Sequence, residues 1–130
     1  MRVMVFGASG FLGSRLTPYL TDNSFEVLTI GRSLGQDFNI DPTDSRAILE
    51  LLDHIKPDCI VNLAAATNVD HCESDVSLAY MSNVAIPAAI SDAITQKVNL
   101  KIQFIHISTD QVYSGTGPHS EGVVKPVNVY

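Results

Sequence analysis

Gly7-Ala8-Ser9-Gly10-Phe11-Leu12-Gly13 is the stretch that decides how this chain folds. Before it, residues 2–6 form a continuous apolar run, the pattern of a strand buried on both faces. After it, Phe11, Leu12, Leu16 and Leu20 recur at helical spacing and predict an amphipathic helix over residues 11–21. A G-x-x-G-x-x-G turn between a strand and a helix has a physical use. One glycine permits the tight turn, another lets the backbone approach a pyrophosphate, and a third lets helix pack on strand. The free amides and partial positive charge of the helix N-terminus then hold the anion. A ligand-free turn would not need three glycines at this spacing, so the motif implies a dinucleotide site.

The rest of the chain repeats the alternation. Residues 26–30 read as a second strand closed by Gly31, and residues 31–43 as a polar loop. Ile48, Leu51, Leu52 and Ile55 share one face of a helix predicted over 44–54, which Pro57 and Asp58 end. Residues 59–63 form a third apolar strand, residues 67–75 a polar stretch, and 76–94 a long alanine-rich helix in which Pro87 imposes a kink or an end. Residues 101–107 are a fourth strand. From Ser108 onward Gly115, Gly117, Pro118, Gly122 and Pro126 leave no room for a long regular element. The order βαβαβαβ predicts an α/β fold, a Rossmann-like doubly wound parallel sheet with strand order 3-2-1-4, in one domain over residues 1–130. Ligands of such sheets bind at the carboxyl ends of the strands, at the switch point, which sets Gly7 beside Ser108 and Thr109.

Composition narrows the function. The 130 residues suffice for one domain with a real core. With 45% hydrophobic and 17% charged residues the chain is no disordered segment. Fourteen acids against eight bases give a net charge of −6, which argues against nucleic acid as a partner. Two cysteines, Cys59 and Cys72, are too few for a disulfide framework and read as reduced thiols. No apolar run approaches the roughly 20 residues of a membrane span, and the N-terminus lacks a signal h-region, so a cytoplasmic location and no membrane partner are expected. The second strand ends in Gly31-Arg32-Ser33 with no acid for a ribose 2′-hydroxyl. A guanidinium with a neighbouring hydroxyl suits a 2′-phosphate, which favours NADP over NAD; with Arg32 as a plain loop residue, NAD remains open.

Four segments then carry a resemblance: the glycine motif, Asn62-Leu63-Ala64-Ala65-Ala66, Asn83 within residues 81–87, and residues 106–115 with the ending Pro126-Val127-Asn128-Val129-Tyr130. Together they resemble the extended short-chain dehydrogenase/reductase family, and most of all its dTDP-4-dehydrorhamnose reductase branch, over essentially the whole chain. The resemblance implies a cofactor site at Gly7, Ser9, Gly10, Phe11, Leu12, Gly13, Arg32, Ser33, Ala64, Ala65, Ala66, Asn83 and Ser108. Asn39-Ile40 stands where the family has an acid–aliphatic pair near the adenine, with Asp37-Phe38 an equal alignment. It also implies a catalytic Thr109 and Tyr130, with Thr109, Val112 and Tyr113 near the sugar. The implied reaction is NADPH-dependent reduction of a nucleotide-linked 4-keto-6-deoxy sugar: the phenol donates a proton while the threonine aligns the carbonyl. Alternatives on the same scaffold are a nucleotide-sugar epimerase or dehydratase holding NAD tightly, and a non-catalytic cofactor-binding module.

Other features carry less. His54, His71, His106 and His119 lack ligand spacing, so no metal site is expected. His106 reads as a satisfied histidine in a buried strand. Asp70, His71, Glu73 and Asp75 read as a solvated loop and helix start, and Asp110 as a brace for the turn after Thr109. Asn83, mid-helix, reads either as a helix-packing hydrogen bond or as the family's relay position. The 76–94 helix is apolar on more than one face, and the surplus suits either a second copy in a homodimer or further strands. In the family a lysine stands four residues beyond the tyrosine and tunes the phenol. The chain ends at Tyr130, so the sequence is expected to hold the cofactor part and half of the catalytic pair. A steady-state assay following NADPH oxidation is expected to show no useful turnover of the keto sugar by the 130-residue chain.

Overall fold

The computed structural model describes residues 1–122 and 124–130. Its centre is β1 (Arg2–Phe6), in which Val3, Met4, Val5 and Phe6 are all buried. Alternate residues of a strand point to opposite faces, so the run feeds two cores. Val3 and Val5 meet Leu16 and Leu20 of α1 (Gly13–Asp22) on one face. On the other, Met4 and Phe6 meet Ile48 and Leu52 of α2 (Ser45–Ile55) and Ile90 of a later helix. That two-sided burial is why the run carries no alternation.

Five strands form one parallel sheet in the order β3-β2-β1-β4-β5. β2 is Glu26–Gly31, β3 Phe38–Asn39, β4 Cys59–Asn62 and β5 Gln103–His106. The doubly wound α/β architecture and its order stand as expected, but the occupants shift. The third place belongs to the two-residue β3, inside the stretch read as loop, so Cys59–Asn62 takes the fourth place beside β1 and Gln103–His106 lies outside it. Two residues carry no periodicity to read. Side-chain bonds dock them instead: the Asp37 carboxylate accepts from the Thr29 N–H and hydroxyl, both at 2.8 Å, and the Asp37 N–H donates to that hydroxyl at 2.9 Å. The strand after Gly7 in space is therefore β4, and Leu63–Ala66 stands between Gly7 and Ser108.

Three further expectations change. Phe11 and Leu12 precede α1 rather than joining its buried face, and Phe11 is 92% exposed. The polar stretch 67–75 contains α3 (Val69–Ser74), capped by Asn68 and burying Cys72; one buried residue in one short turn leaves no pattern. The long helix divides into α4 (Val76–Tyr80), a π-helical turn (Met81–Ala85) and α5 (Ile86–Thr95). Pro87 sits in the first turn of α5, directly after the π-helical turn. Finally, His106 is exposed rather than buried, because β5 has a sheet neighbour on one side only among the described residues.

Both cysteines are free and buried, and burial, helped by the Asp58 charge, pushes the Cys59 thiol up from its ordinary range. Among the described residues no helix is long and apolar enough to cross a membrane. Ile60 is fully buried at the middle of the sheet, opposite Met4 and Phe104. Ile60→Ala is expected to cost about 2–5 kcal/mol of unfolding free energy, measured by urea denaturation, because the cavity collapses only in part.

Candidate functional site

The site begins where β1 ends. Gly7 has φ +80°, and a Cβ there would lie 2.6 Å from the Ala64 nitrogen and 2.7 Å from the Leu63 carbonyl carbon. The exit of β4 therefore passes directly against the glycine backbone. Gly13 serves the other side: a Cβ there would lie 2.6 Å from the Ala8 Cα, so α1 starts only where a glycine lets it rest on the turn. Gly10 N–H donates to the Gly7 carbonyl at 3.1 Å and Ser14 N–H to the Gly10 carbonyl at 2.9 Å, which closes the turn. No side chain caps α1 and its first turn carries no acid. Its amides and positive end thus suit an anion.

Three adjoining cavities extend from this cradle. The first, about 260 Å³, is lined by Gly7, Ser9 and Gly10, by Arg32, Ser33 and Gln36, and by Ala64 and Ala65. The second, about 280 Å³, holds Ala64, Ala65, Tyr80, Asn83, His106, Ser108, Thr109, Val112 and Tyr130. The third, about 480 Å³, joins Gly7, Gly10, Phe11, Leu12 and Gly13 to Ser108 and Tyr130. Shared lining by Gly7, Gly10, Ala65, Ser108 and Tyr130 makes them one trough over the carboxyl ends of β1, β4 and β5.

The wall between the cavities is the 64–66 backbone, and it is held by side chains. Asn62, fully buried, accepts from the Ala64 N–H at 3.1 Å. Asn83 accepts from the Ala66 N–H at 2.8 Å and donates to the Ala66 carbonyl at 3.1 Å. The Cys72 thiol donates to the same carbonyl at 3.5 Å. Asn83 lies in the π-helical turn, a form common at functional sites, and both ends of its amide are spent on Ala66.

The far end is set by the final segment. Lys125 N–H donates to the Val112 carbonyl at 2.8 Å, Asn128 to the Gln111 side chain at 3.0 Å, and Val129 N–H to the Glu73 carboxylate at 2.6 Å. Glu73, expected to be merely solvated, thereby places Tyr130 in the cavity that Thr109 lines. The Thr109 hydroxyl accepts from the Gln111 N–H at 3.2 Å and donates to the Asp110 carboxylate at 3.4 Å. The threonine itself, rather than Asp110, caps this turn.

A family model described as the RmlD substrate binding domain matches residues 1–130. The chain belongs to that family. Its curated relatives include the dTDP-4-dehydrorhamnose reductase of Aggregatibacter actinomycetemcomitans, 34% identical over 99% of this chain and 42% of the relative. The spore coat polysaccharide biosynthesis protein SpsK of Bacillus subtilis is 35% identical over 89% of this chain and 38% of that protein. Among solved structures, the Bacillus anthracis dTDP-4-dehydrorhamnose reductase in complex with NADP superposes with a TM-score of 0.83 and 27% identity, over 99% of this chain and 44% of the other. UDP-glucose 4-epimerase from Brucella ovis shares the fold, with a TM-score of 0.86 at 23% identity. The chain spans about two-fifths of the length of these curated relatives.

Most residues singled out from the sequence meet in the trough of this family member. Ala66 lines none of the three cavities and is bonded to Asn83, and Tyr113 instead stacks on His119 with ring centroids 4.8 Å apart. Asn39 and Ile40 line none of the three cavities; Ile40 packs on the core and Asp37 is spent on Thr29. Beside Arg32 lies Asp41, whose carboxyl is held below its usual range by the Thr43 N–H and hydroxyl, with the Arg32 guanidinium adding to the effect. Gln36, Pro42, Ser82 and Ile86 also line the first cavity and had no sequence signal, since loops and helices distant in the chain bring them there. Among the described residues no three His, Cys, Asp or Glu side chains gather as metal ligands.

Gly7→Ala tests the close approach. Gly35 also has positive φ, +90°, but nothing within 4 Å of a Cβ, so Gly35→Ala measures backbone strain alone. Strain at such a position costs more than about 1 kcal/mol. Gly7→Ala is expected to cost distinctly more than Gly35→Ala in thermal unfolding, the excess being the clash with Ala64.

Proposed function

We propose that this chain forms the cofactor-holding part of an NADPH-dependent oxidoreductase that reduces the 4-keto group of a dTDP-linked 6-deoxy sugar. The observation that carries this reading is the single trough in which the glycine cradle and Arg32 stand at one end and Thr109 and Tyr130 at the other. The reductases among its relatives, one of them solved with NADP, support the choice of reaction.

The residues fit such a group. A Cβ at Gly7 or Gly13 would fill space that the backbone of the turn and of Ala64 already claims, so the cradle exists only with glycine there. The uncapped start of α1 would hold the pyrophosphate, helped by Ser9, Gly10, Phe11, Leu12 and Gly13. Arg32 and Ser33 line the cavity and would hold a 2′-phosphate, through a guanidinium suited to bind phosphate with paired donors. Ala64, Ala65 and Ser108 line the passage to the nicotinamide end, and Asn83 fixes the loop that makes it. When bound, the reduced cofactor supplies the hydride.

The chain's own residues do the rest. The Thr109 hydroxyl turns from Asp110 to donate to the keto oxygen and holds the carbonyl in line. The Tyr130 phenol gives its proton to that oxygen as it becomes an alcohol. Val76, Tyr80, Val84 and Val112 make the same cavity apolar beside this pair, which suits the methyl of a 6-deoxy sugar.

Fluorescence titration of the chain with NADPH and NADH tests the cofactor half. NADPH is expected to bind more tightly, and Arg32→Ala to weaken it by more than about tenfold, the worth of a charged hydrogen bond, while NADH is little changed. Equal weakening of both, or binding of neither, overturns the reading.

A further inference from the structure

The trough is tied to a side-chain pair at its floor that the proposed chemistry does not use. Asn62 on β4 and His106 on β5 are direct partners in the sheet register. Asn62 is the one fully buried polar residue among the described residues. Its amide orientation is fixed by chemistry: the Ala64 N–H can only donate, so the atom 3.1 Å from it is the oxygen. The other end of the amide is therefore the NH₂, and it lies 3.1 Å from His106 Nδ1. An NH₂ group can only donate, so Nδ1 must accept, and the ring must be neutral with its proton on Nε2. Ala64, at the end of this relay, is the residue whose nitrogen crowds Gly7 and which lines two of the three cavities.

His106 is open to protons. It is exposed and lines the second cavity. The titratable groups sharing that cavity are Tyr80 of α4 and Tyr130 of the final segment; no carboxylate, lysine or arginine lines it. On its own strand Phe104 stacks beside the ring at 6.3 Å, and β4 presents the neutral Asn62, with Cys59 at its far end. Among the described residues that line this cavity, none is an anion that would compensate an imidazolium. A proton on Nδ1 would set N–H against N–H and break the bond that holds the Asn62 amide.

We infer that His106 is a positioning residue for the cofactor cleft: its neutral ring accepts the Asn62 amide and thereby holds Ala64, and protonation of the ring releases that hold. The inference rests on the reading of the trough as a cofactor site, and its test separates the two. NMR of the free chain follows the His106 ring nitrogens and the Ala64 amide as the pH is lowered from about 8 until the ring is protonated. The neutral ring is expected as the Nε2–H form, and the Ala64 amide is expected to shift with the same midpoint as the ring. A neutral ring protonated on Nδ1, or an Ala64 amide that stays fixed while the ring titrates, overturns the proposal without reference to any ligand.

Binding of NADP provides the second arm. His106→Leu is expected to weaken it about fivefold at about pH 8, the net worth of one hydrogen bond, and His106→Asn, which keeps an acceptor oxygen near the place of Nδ1, to recover it. The Asn variant carries the same ligand titration as the parent. The ratio of the two dissociation constants therefore isolates the ring, and it is expected to rise from about one to about five as the pH falls. A ratio that stays flat overturns the proposal. Failure of every variant and the parent to bind NADP overturns the cofactor reading, and the NMR titration then decides the role of His106 alone.

Discussion

The closeness of two backbones, Gly7 at the end of β1 and Ala64 just past β4, governs the rest of this molecule. With only 2.6 Å between a Cβ at Gly7 and the Ala64 nitrogen, the two strand ends touch through bare backbone. That contact lets the 64–66 loop lean over the glycine turn and form the shared wall of the trough. It also has a cost: a loop lying this close to another backbone has few partners for its own polar groups. Asn62, Asn83 and Cys72 supply them, from a strand, a π-helical turn and a short helix. Buried polar groups need such partners, and here meeting that need gives the cleft its shape.

The sheet makes the contact possible. Burial of β1 on both faces fixes it at the centre, and the passage from β3 across to β4 places the switch point next to it. Carboxyl ends of three strands then open on one side, and the uncapped start of α1, Thr109 and Tyr130 border the same trough. The final segment is tied back by Glu73, Gln111 and Val112, so Tyr130 reaches the trough although no regular element carries it.

Much of this was legible in the chain. Apolar runs marked β1 and β4, short strand patterns closed by Gly31 and Ser108 marked β2 and β5, and the glycine spacing marked the turn after β1. Arg32, just past β2, lines the first cavity. What escaped were elements made by single contacts rather than by pattern. Phe38–Asn39 becomes a strand because Asp37 meets Thr29, and α3 forms because Asn68 caps it and Cys72 fills one gap. Phe11 and Leu12 kept helical spacing but fell outside α1, because Gly13 must pass Ala8 before the helix can begin. Asn39 and Ile40 come from alignment with a family pattern, and neither lines the three cavities, Ile40 packing on the core instead.

By itself, the sequence determined the α/β class, the parallel winding and the glycine turn between β1 and α1, since each is written in local spacing or in residue type. Tertiary structure alone decided that β4, not β5, lies against β1, that Glu73 anchors the segment bearing Tyr130, and that His106 meets Asn62 across the sheet. The reason is the range of the interactions. Periodicity and turn chemistry act over a few residues, whereas Asn62 and His106 are 44 positions apart and Glu73 and Val129 are 56 apart. Partners at such distances are chosen by packing of the whole sheet, which no local pattern records.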